Sequence, residues 1–142
     1  MVVPGVAAWL TGQPLIFPSL GPTAFALVFD RRENNARQVI GSHMIGVVSG
    51  LIAYQVLAHG LTLAALRPAF SLDGLRIVAS GVISIGLTTL AMVALRMSHA
   101  PACATTLIVS LGVLRTAADG FLIMLAVIGM FLRHRLITRD SP

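Results

Sequence analysis

Long apolar stretches separated by short clusters of arginine make up most of the sequence. Two of them, Val39–Ala58 and Ile77–Leu95, are bounded by arginine or histidine, and the second contains no charged side chain. A helix needs about 20 apolar residues to cross a bilayer, and a charge at the bilayer centre is costly. The pattern therefore predicts a membrane-spanning helix in each stretch.

The first stretch, Met1–Phe29, is also uncharged but contains prolines at positions 4, 14, 18 and 22. Proline removes a backbone donor and clashes with the preceding turn, so an unbroken helix is not expected. We predict a short piece, Val2–Leu10, followed by a break and a crossing piece, Leu15–Phe29. Because no basic residues precede the apolar run, a signal peptide is not indicated.

Two further apolar stretches, Ala100–Leu114 and Gly120–Leu132, are shorter than a full crossing. The first begins beside a proline, as helices often do, and we interpret it as a short crossing, with a re-entrant segment as the alternative. The second can extend through its flanks because arginine side chains reach towards the membrane surface. A polar, frayed, cytoplasmic tail is expected over residues 133–142.

The arginines predict the orientation, because positively charged loops remain in the cytoplasm. With the short crossing, seven share the side of the C-terminus: Arg31, Arg32, Arg37, Arg96, Arg133, Arg135 and Arg139. The other side receives Arg67, Arg76 and Arg115. We therefore expect a cytoplasmic C-terminus, whereas a re-entrant segment would give equal numbers on the two sides and no preference. The fold predicted is an all-α polytopic transmembrane helix bundle of about four to five spans, with short or broken helices at the proline-rich motifs.

Composition agrees with a membrane protein, since 56% of the 142 residues are hydrophobic and only 11% are charged. Soluble domains carry about 25% charged residues. This excludes a soluble enzyme, a disordered linker and a nucleic-acid-binding domain, and the ten arginines are scattered rather than gathered in one basic region. The single cysteine excludes a disulfide framework. The partner expected first is the lipid bilayer.

Two segments that begin with proline resemble one another, Pro18-Ser-Leu-Gly-Pro-Thr-Ala24 and Pro101-Ala-Cys-Ala-Thr-Thr106. Each is rich in small and hydroxyl-bearing residues and precedes an apolar helix, an arginine and another span. Paired Gly- or Pro-interrupted segments in corresponding halves are typical of the binding site of a transporter. The comparison also leads us to expect that residues 1–142, one transmembrane domain, lack the beginning of the opening helix, so that either the chain starts late or a shortened first helix suffices.

A helix that begins inside a membrane presents unsatisfied N–H groups at the positive end of its dipole, and both attract an anion. Two such ends facing each other would form a site for a small inorganic anion. The donors and close-approach position expected there are Ser19, Gly21, Thr23, Thr105 and Thr106. The alternative is structural: proline kinks whose hydroxyls bond to their own backbone.

Two histidines are candidates for the same site. His43 lies inside a predicted span, where a histidine commonly relays protons or contacts a ligand, or else makes an interhelical hydrogen bond. His99 directly precedes the second motif, where it contacts substrate or holds the turn. Arg37 and Arg115 flank the spans and would raise the local anion concentration at the two mouths.

No catalytic or metal-binding arrangement is predicted. All five carboxylates fall in loops or at span ends: Asp30, Glu33, Asp73, Asp119 and Asp140. The four histidines have no cysteine or carboxylate at ligand spacing, and Cys103 has no partner base. We therefore expect neither an enzyme nor a cofactor.

Small residues recur every fourth position in one predicted span, at Ser42, Gly46 and Gly50. Such a stripe lets two helices approach closely. The contact lies either within the chain or across a homo-oligomer. A non-transporting interaction module that packs through this face is therefore the main alternative to a transporter.

Three motifs together resemble the HPP family of small integral membrane proteins, named for a His-Pro-Pro motif. They are Pro18-Ser-Leu-Gly-Pro-Thr-Ala24, Arg37-Gln-Val-Ile-Gly-Ser-His43 and Ser98-His-Ala-Pro-Ala-Cys-Ala-Thr-Thr106. With the spacing between them, the resemblance covers nearly the whole chain. The family motif falls on His99 and Pro101, and its middle proline is Ala100 here.

The resemblance implies an all-helical protein with about four or five spans. Some plastid and cyanobacterial relatives are implicated in nitrite transport, and most bacterial members have no assigned substrate. The resemblance thus implies the same ligand class as the helix-end argument, a small monovalent anion. Because no plastid transit segment is present, the expected location is a bacterial-type inner membrane.

Overall fold

The computed structural model describes residues 22–23, 35–65, 68–97 and 99–139. In this part the chain forms four helices: α1 (Ala36–Ala53), α2 (Leu72–Leu95), α3 (Ala102–Ser110) and α4 (Ala117–Arg139). A π-helical turn, Tyr54–Ala58, continues α1. The all-helical bundle is as predicted. The expected piece Val2–Leu10 and the question of a complete first helix lie outside the described residues, and of Leu15–Phe29 only residues 22 and 23 are described.

Three of these helices are long and apolar enough to cross a membrane, over Ala36–Ala58, Leu72–Leu95 and Ala117–Leu136. The first includes all of the predicted span Val39–Ala58. The second begins at Leu72, earlier than the predicted Ile77, because the side chain of Ser71 caps it by accepting a hydrogen bond from the Gly74 amide.

Helices α1 and α2 are antiparallel. At one end, Arg37 Nη2 lies 3.5 Å from the carbonyl oxygen of Leu95, and this is called the first end of the bundle. At the other, Arg76 Nε donates to the carbonyl oxygen of Leu57 at 2.9 Å, and this is the second end.

Helix α3 has nine residues and occupies only part of the bundle's depth. Its first turn lies near the middle of α1, where a Cβ on Gly46 would come within 2.9 Å of the Ala102 carbonyl oxygen. Beyond its last turn, the Leu111 carbonyl accepts from the Leu63 amide at the second end. The chain leaves α2 at the first end, so the segment before α3 and α3 itself lead from the first end of the bundle to the second. This course is consistent with the short crossing expected over Ala100–Leu114, of which only Ala102–Ser110 is helical.

The turn after α3 requires a glycine. Gly112 has a positive φ of 70°, and its Cα lies so close to the Leu61 carbonyl and the Tyr54 ring that a Cβ would clash with both. The next helix, α4, is stabilised at its start by Asp119 in its first turn. The carboxylate of Asp119 accepts hydrogen bonds from the Arg115 and Thr116 amides at 3.1 and 3.0 Å.

Helix α4 packs antiparallel to α1. Gly120 lies directly against Val47, while the apolar cluster between the two helices extends back to Val39 near the first end. The expectation of a frayed tail after Arg133 was wrong for residues 133–139, which continue α4. Neither glycine nor proline interrupts them, and arginine and leucine are good helix formers.

The bundle has a polar seam where α1, α2 and α3 meet. Its fully buried polar side chains are Ser42, His43, Ser80, Ser84, Thr88, Thr105, Thr106 and Ser110. The outer surface of α2 is apolar instead, with Val78, Val82 and Val93 each more than half exposed. Polar groups inside and apolar groups outside are the arrangement expected of helices in lipid.

Candidate functional site

His43 is the centre of the polar seam, and it joins both proline motifs. Its Nε2 lies 2.8 Å from Thr23 Oγ1, and its Nδ1 lies 2.8 Å from Thr105 Oγ1. All three side chains are completely buried. Thr23 comes from the first motif and Thr105 from the second, so one threonine of each motif lies at this histidine.

His99 is the second imidazole of the site. Its ring centroid lies 5.6 Å from that of His43, with the planes inclined by 58°. The side chain is 1% exposed and stands directly before α3. Because the two rings are adjacent, the site contains two groups that can accept a proton.

Threonine and serine hydroxyls extend the seam along α3. Thr106 Oγ1 lies 3.0 Å from Thr88 Oγ1 and donates to the Ala102 carbonyl at 3.2 Å. Ser80 donates to the Ser110 carbonyl at 2.8 Å, which joins α2 to the end of α3. These bonds satisfy hydroxyls that lipid would leave without partners.

The sequence predicted unsatisfied backbone amides in the first turn of α3, but these amides are hydrogen-bonded. The amides of Ala102, Cys103 and Ala104 donate to the carbonyls of residues 99, 100 and 101 at 3.0 to 3.1 Å. These tight turn bonds occupy donors that a helix start would otherwise present. Attraction of an anion at this point therefore depends on the helix dipole, the hydroxyls and the imidazoles.

A cavity of about 300 Å³ opens at the first end, between α2 and the segment that enters α3. Its lining residues are Thr89, Met92, Val93, Arg96, Met97, His99, Ala100 and Cys103. Arg96 is exposed, while His99 is buried. Arg96 and the imidazole beside His43 therefore line the same cavity.

Only some of the predicted site residues belong to the cluster around His43. The cluster contains Thr23, His99, Thr105 and Thr106 with His43, and Ser19 and Gly21 lie outside the described residues. Of the two arginines assigned to the mouths, Arg37 is exposed at the first end but does not line the cavity, and Arg115 is exposed near the second.

Sequence reasoning missed Arg96 and Thr88. Arg96 is the left-handed C-terminal cap of α2, with φ of 52°, and this conformation is not visible in the residue pattern. The spacing of Ser80, Ser84 and Thr88 was a usable signal for Thr88, because residues four apart share a helix face.

The small-residue stripe of α1 packs within the chain. A Cβ on Gly46 would meet Thr106 Oγ1 at 2.8 Å, and one on Gly50 would meet the Thr106 carbonyl oxygen at 2.9 Å. This settles the position of the contact left open by the sequence: α3 covers the two glycines. In the described ranges, no group of three or more histidine, cysteine or carboxylate side chains could hold a metal ion.

Comparison with known proteins gives one result. The family model described as HPP, transmembrane region, matches residues 1–136. No protein of curated function and no solved structure matches the sequence. The matched region includes α1, α2 and α3 and most of α4. The chain therefore belongs to the HPP family of transmembrane proteins.

Proposed function

We propose that the protein carries a small monovalent inorganic anion, such as nitrite, across a membrane. One observation is central to this proposal. Thr23 of the first proline motif and Thr105 of the second bond to His43 in a buried cluster, and His99 beside His43 lines a cavity that also contains the exposed Arg96.

The chemistry of the cluster suits an anion of low charge. Hydroxyl and imidazole N–H groups donate hydrogen bonds, and the positive end of the α3 dipole points towards the middle of the bundle. No lysine or arginine is among the buried side chains of the described part. A site without a fixed cation binds weakly enough to release its ligand, as transport requires.

The proposal assigns transport rather than catalysis. Cys103 lines the cavity at the first turn of α3, but the nearest imidazole in sequence, His99, belongs to the segment before that helix. His43, the base of the cluster, is hydrogen-bonded to two threonines and not to Cys103. An assembly module using the glycine stripe is less well supported, because α3 already covers Gly46 and Gly50.

The proposed location is a bacterial-type cytoplasmic membrane, with the first end of the bundle and the C-terminus in the cytoplasm. The described arginines Arg37, Arg96, Arg133 and Arg135 lie towards the first end, where α1 begins and α2 and α4 end. Arg76 and Arg115 lie towards the second. Excess arginine on the cytoplasmic side supports this orientation.

The test of the site is nitrite uptake by hydroxyl variants in proteoliposomes. Thr23→Val and Thr106→Val each remove a hydroxyl at nearly constant volume, and we expect uptake to fall by about three- to tenfold, the effect of one hydrogen bond. Thr23→Ser and Thr106→Ser keep the hydroxyl and should retain most activity. Expression and membrane insertion should be unchanged in all four variants.

Unchanged uptake in both valine variants would exclude these hydroxyls from the mechanism. Equal losses in the valine and serine variants would indicate a packing effect instead.

A further inference from the structure

We propose that the anion crosses together with a proton, which is carried by the imidazole of His43 between Thr23 and Thr105. The inference rests on the proposed anion transport and adds its coupling ion. It predicts that transport moves no net charge, because each anion travels with one proton.

The first argument concerns charge. An anion that leaves water for the interior of the bundle loses its hydration, and an uncompensated charge there is strongly disfavoured. The buried polar side chains of the described residues are serines, threonines, His43 and His99. Among them only the two imidazoles can become cationic. Within the described part, a full positive charge inside the bundle can therefore come only from a protonated histidine.

Among the described residues, the helices packed against His43 bring no fixed charge close to it, and the adjacent titratable group is His99. The charged side chains of α2 are Asp73 and Arg76, both near the second end. Helix α4 has no charged residue between Asp119 and Arg133. Helix α3 has none at all, and its only titratable side chain is the thiol of Cys103, which faces the cavity. Arg96 is exposed at the edge of that cavity.

The second argument concerns geometry. A neutral imidazole has one N–H and one unprotonated nitrogen, whereas an imidazolium has two N–H groups. Both nitrogens of His43 already lie 2.8 Å from a hydroxyl, and a hydroxyl can donate or accept. The cationic form can therefore donate to Thr23 and Thr105 without any movement of heavy atoms. Only the hydroxyl hydrogen that was donated to the unprotonated nitrogen needs to rotate.

The proton balance is simple. A proton entering from the first end binds the unprotonated nitrogen of His43 and forms an N–H bond, so that the ring is cationic while the anion occupies the site. One of the two N–H bonds then breaks, its proton passes to water at the second end, and the ring returns to neutral as the anion leaves there. His99 lines the cavity and lies 5.6 Å from His43 between ring centroids, so it lies on the path from the cavity to His43.

The test uses the complete chain in proteoliposomes, with nitrite outside, a pH-sensitive dye inside and the membrane potential clamped. At neutral to alkaline pH, we expect nitrite entry to acidify the lumen one proton per anion, after subtraction of the signal from protein-free vesicles. An inward proton gradient should accelerate uptake, and an imposed potential should not.

Variants of individual residues test whether His43 carries the proton. His43→Gln keeps a polar side chain of similar size, and we expect it to lower coupled nitrite and proton entry by about tenfold or more. His59→Gln is the matched control, because His59 is exposed at the second end, and it should behave as wild type. Thr105→Val should also impair coupling, and Thr105→Ser should restore it. The threonine pair keeps the test valid if His43→Gln fails to fold.

Several results would overturn the inference. Nitrite entry that follows the potential and leaves the lumen pH unchanged would exclude proton coupling while leaving anion transport intact. Normal acidification by His43→Gln, or by Thr105→Val, would exclude the route through His43. No nitrite entry with well-inserted wild-type protein would remove the proposed transport and this inference together.

Discussion

At the scale of single residues, a histidine in a membrane interior must satisfy two ring nitrogens without water. His43 does so with two threonines that lie far apart in sequence, one on each side of it. Its position within a span was predictable, because a histidine in an apolar run is conspicuous. The identity of its partners was not, since the residue pattern does not show which helix faces meet.

Gly46 allows a prediction at this scale. A Cβ there would lie 2.8 Å from Thr106 Oγ1 and 2.9 Å from the Ala102 carbonyl oxygen, and backbone cannot move aside easily. We expect Gly46→Ala to lower the free energy of unfolding by about 1–3 kcal/mol, as overpacking does. Thermal unfolding in detergent measures the effect.

Gly86→Ala is the matched control, because Gly86 is exposed on α2 with nothing within 4 Å of an added Cβ. Alanine is the better helix former, so this variant should be neutral or more stable by about 0.5–1 kcal/mol. Similar melting temperatures for Gly46→Ala and wild type would show that α1 and α3 do not pack this closely.

At the scale of elements, the length of each apolar stretch and the charged residues at its ends were sufficient to predict the spans in α1, α2 and α4. The start of α2 was predicted too late because the cap signal at Ser71 was overlooked, and the end of α4 too early because polarity was taken for fraying. The mixed crossing of residues 96–111 could not be read from composition. Its short helix is stabilised by tertiary contacts with α1 and α2. The helix propensity of the residues does not reveal such contacts.

The position of Cys103, the only cysteine of the chain, allows a prediction about the accessibility of its thiol. Its side chain is half-buried and lines the cavity at the first end. A membrane-impermeant maleimide should therefore react with it from the first end alone, which is the cytoplasmic side in the proposed orientation. Labelling of intact cells and of inside-out vesicles gives the measurement.

The control is Leu63→Cys in a Cys103→Ser background, because Leu63 is exposed at the second end. It should react from the opposite side. Reaction of both cysteines from the same side would contradict the placement of Cys103 and Leu63 at opposite ends of the bundle.

At the scale of the whole molecule, the distribution of polarity is the reverse of that in a soluble protein. Hydroxyls and imidazoles fill the seam between three helices, and aliphatic side chains cover the outside of α2. Composition alone predicted a membrane protein, and the family match over residues 1–136 agrees with it. The polar seam is a property of the assembled helices, because each contributes only a few of its residues.

The most direct test of the central claim is anion flux into proteoliposomes that contain the purified protein, comparing nitrite, nitrate, formate and chloride. We predict saturable entry with a clear preference for nitrite or a similar small monovalent anion, and rates well above those of protein-free vesicles. Well-inserted protein that shows no flux of any of the four anions would contradict the account.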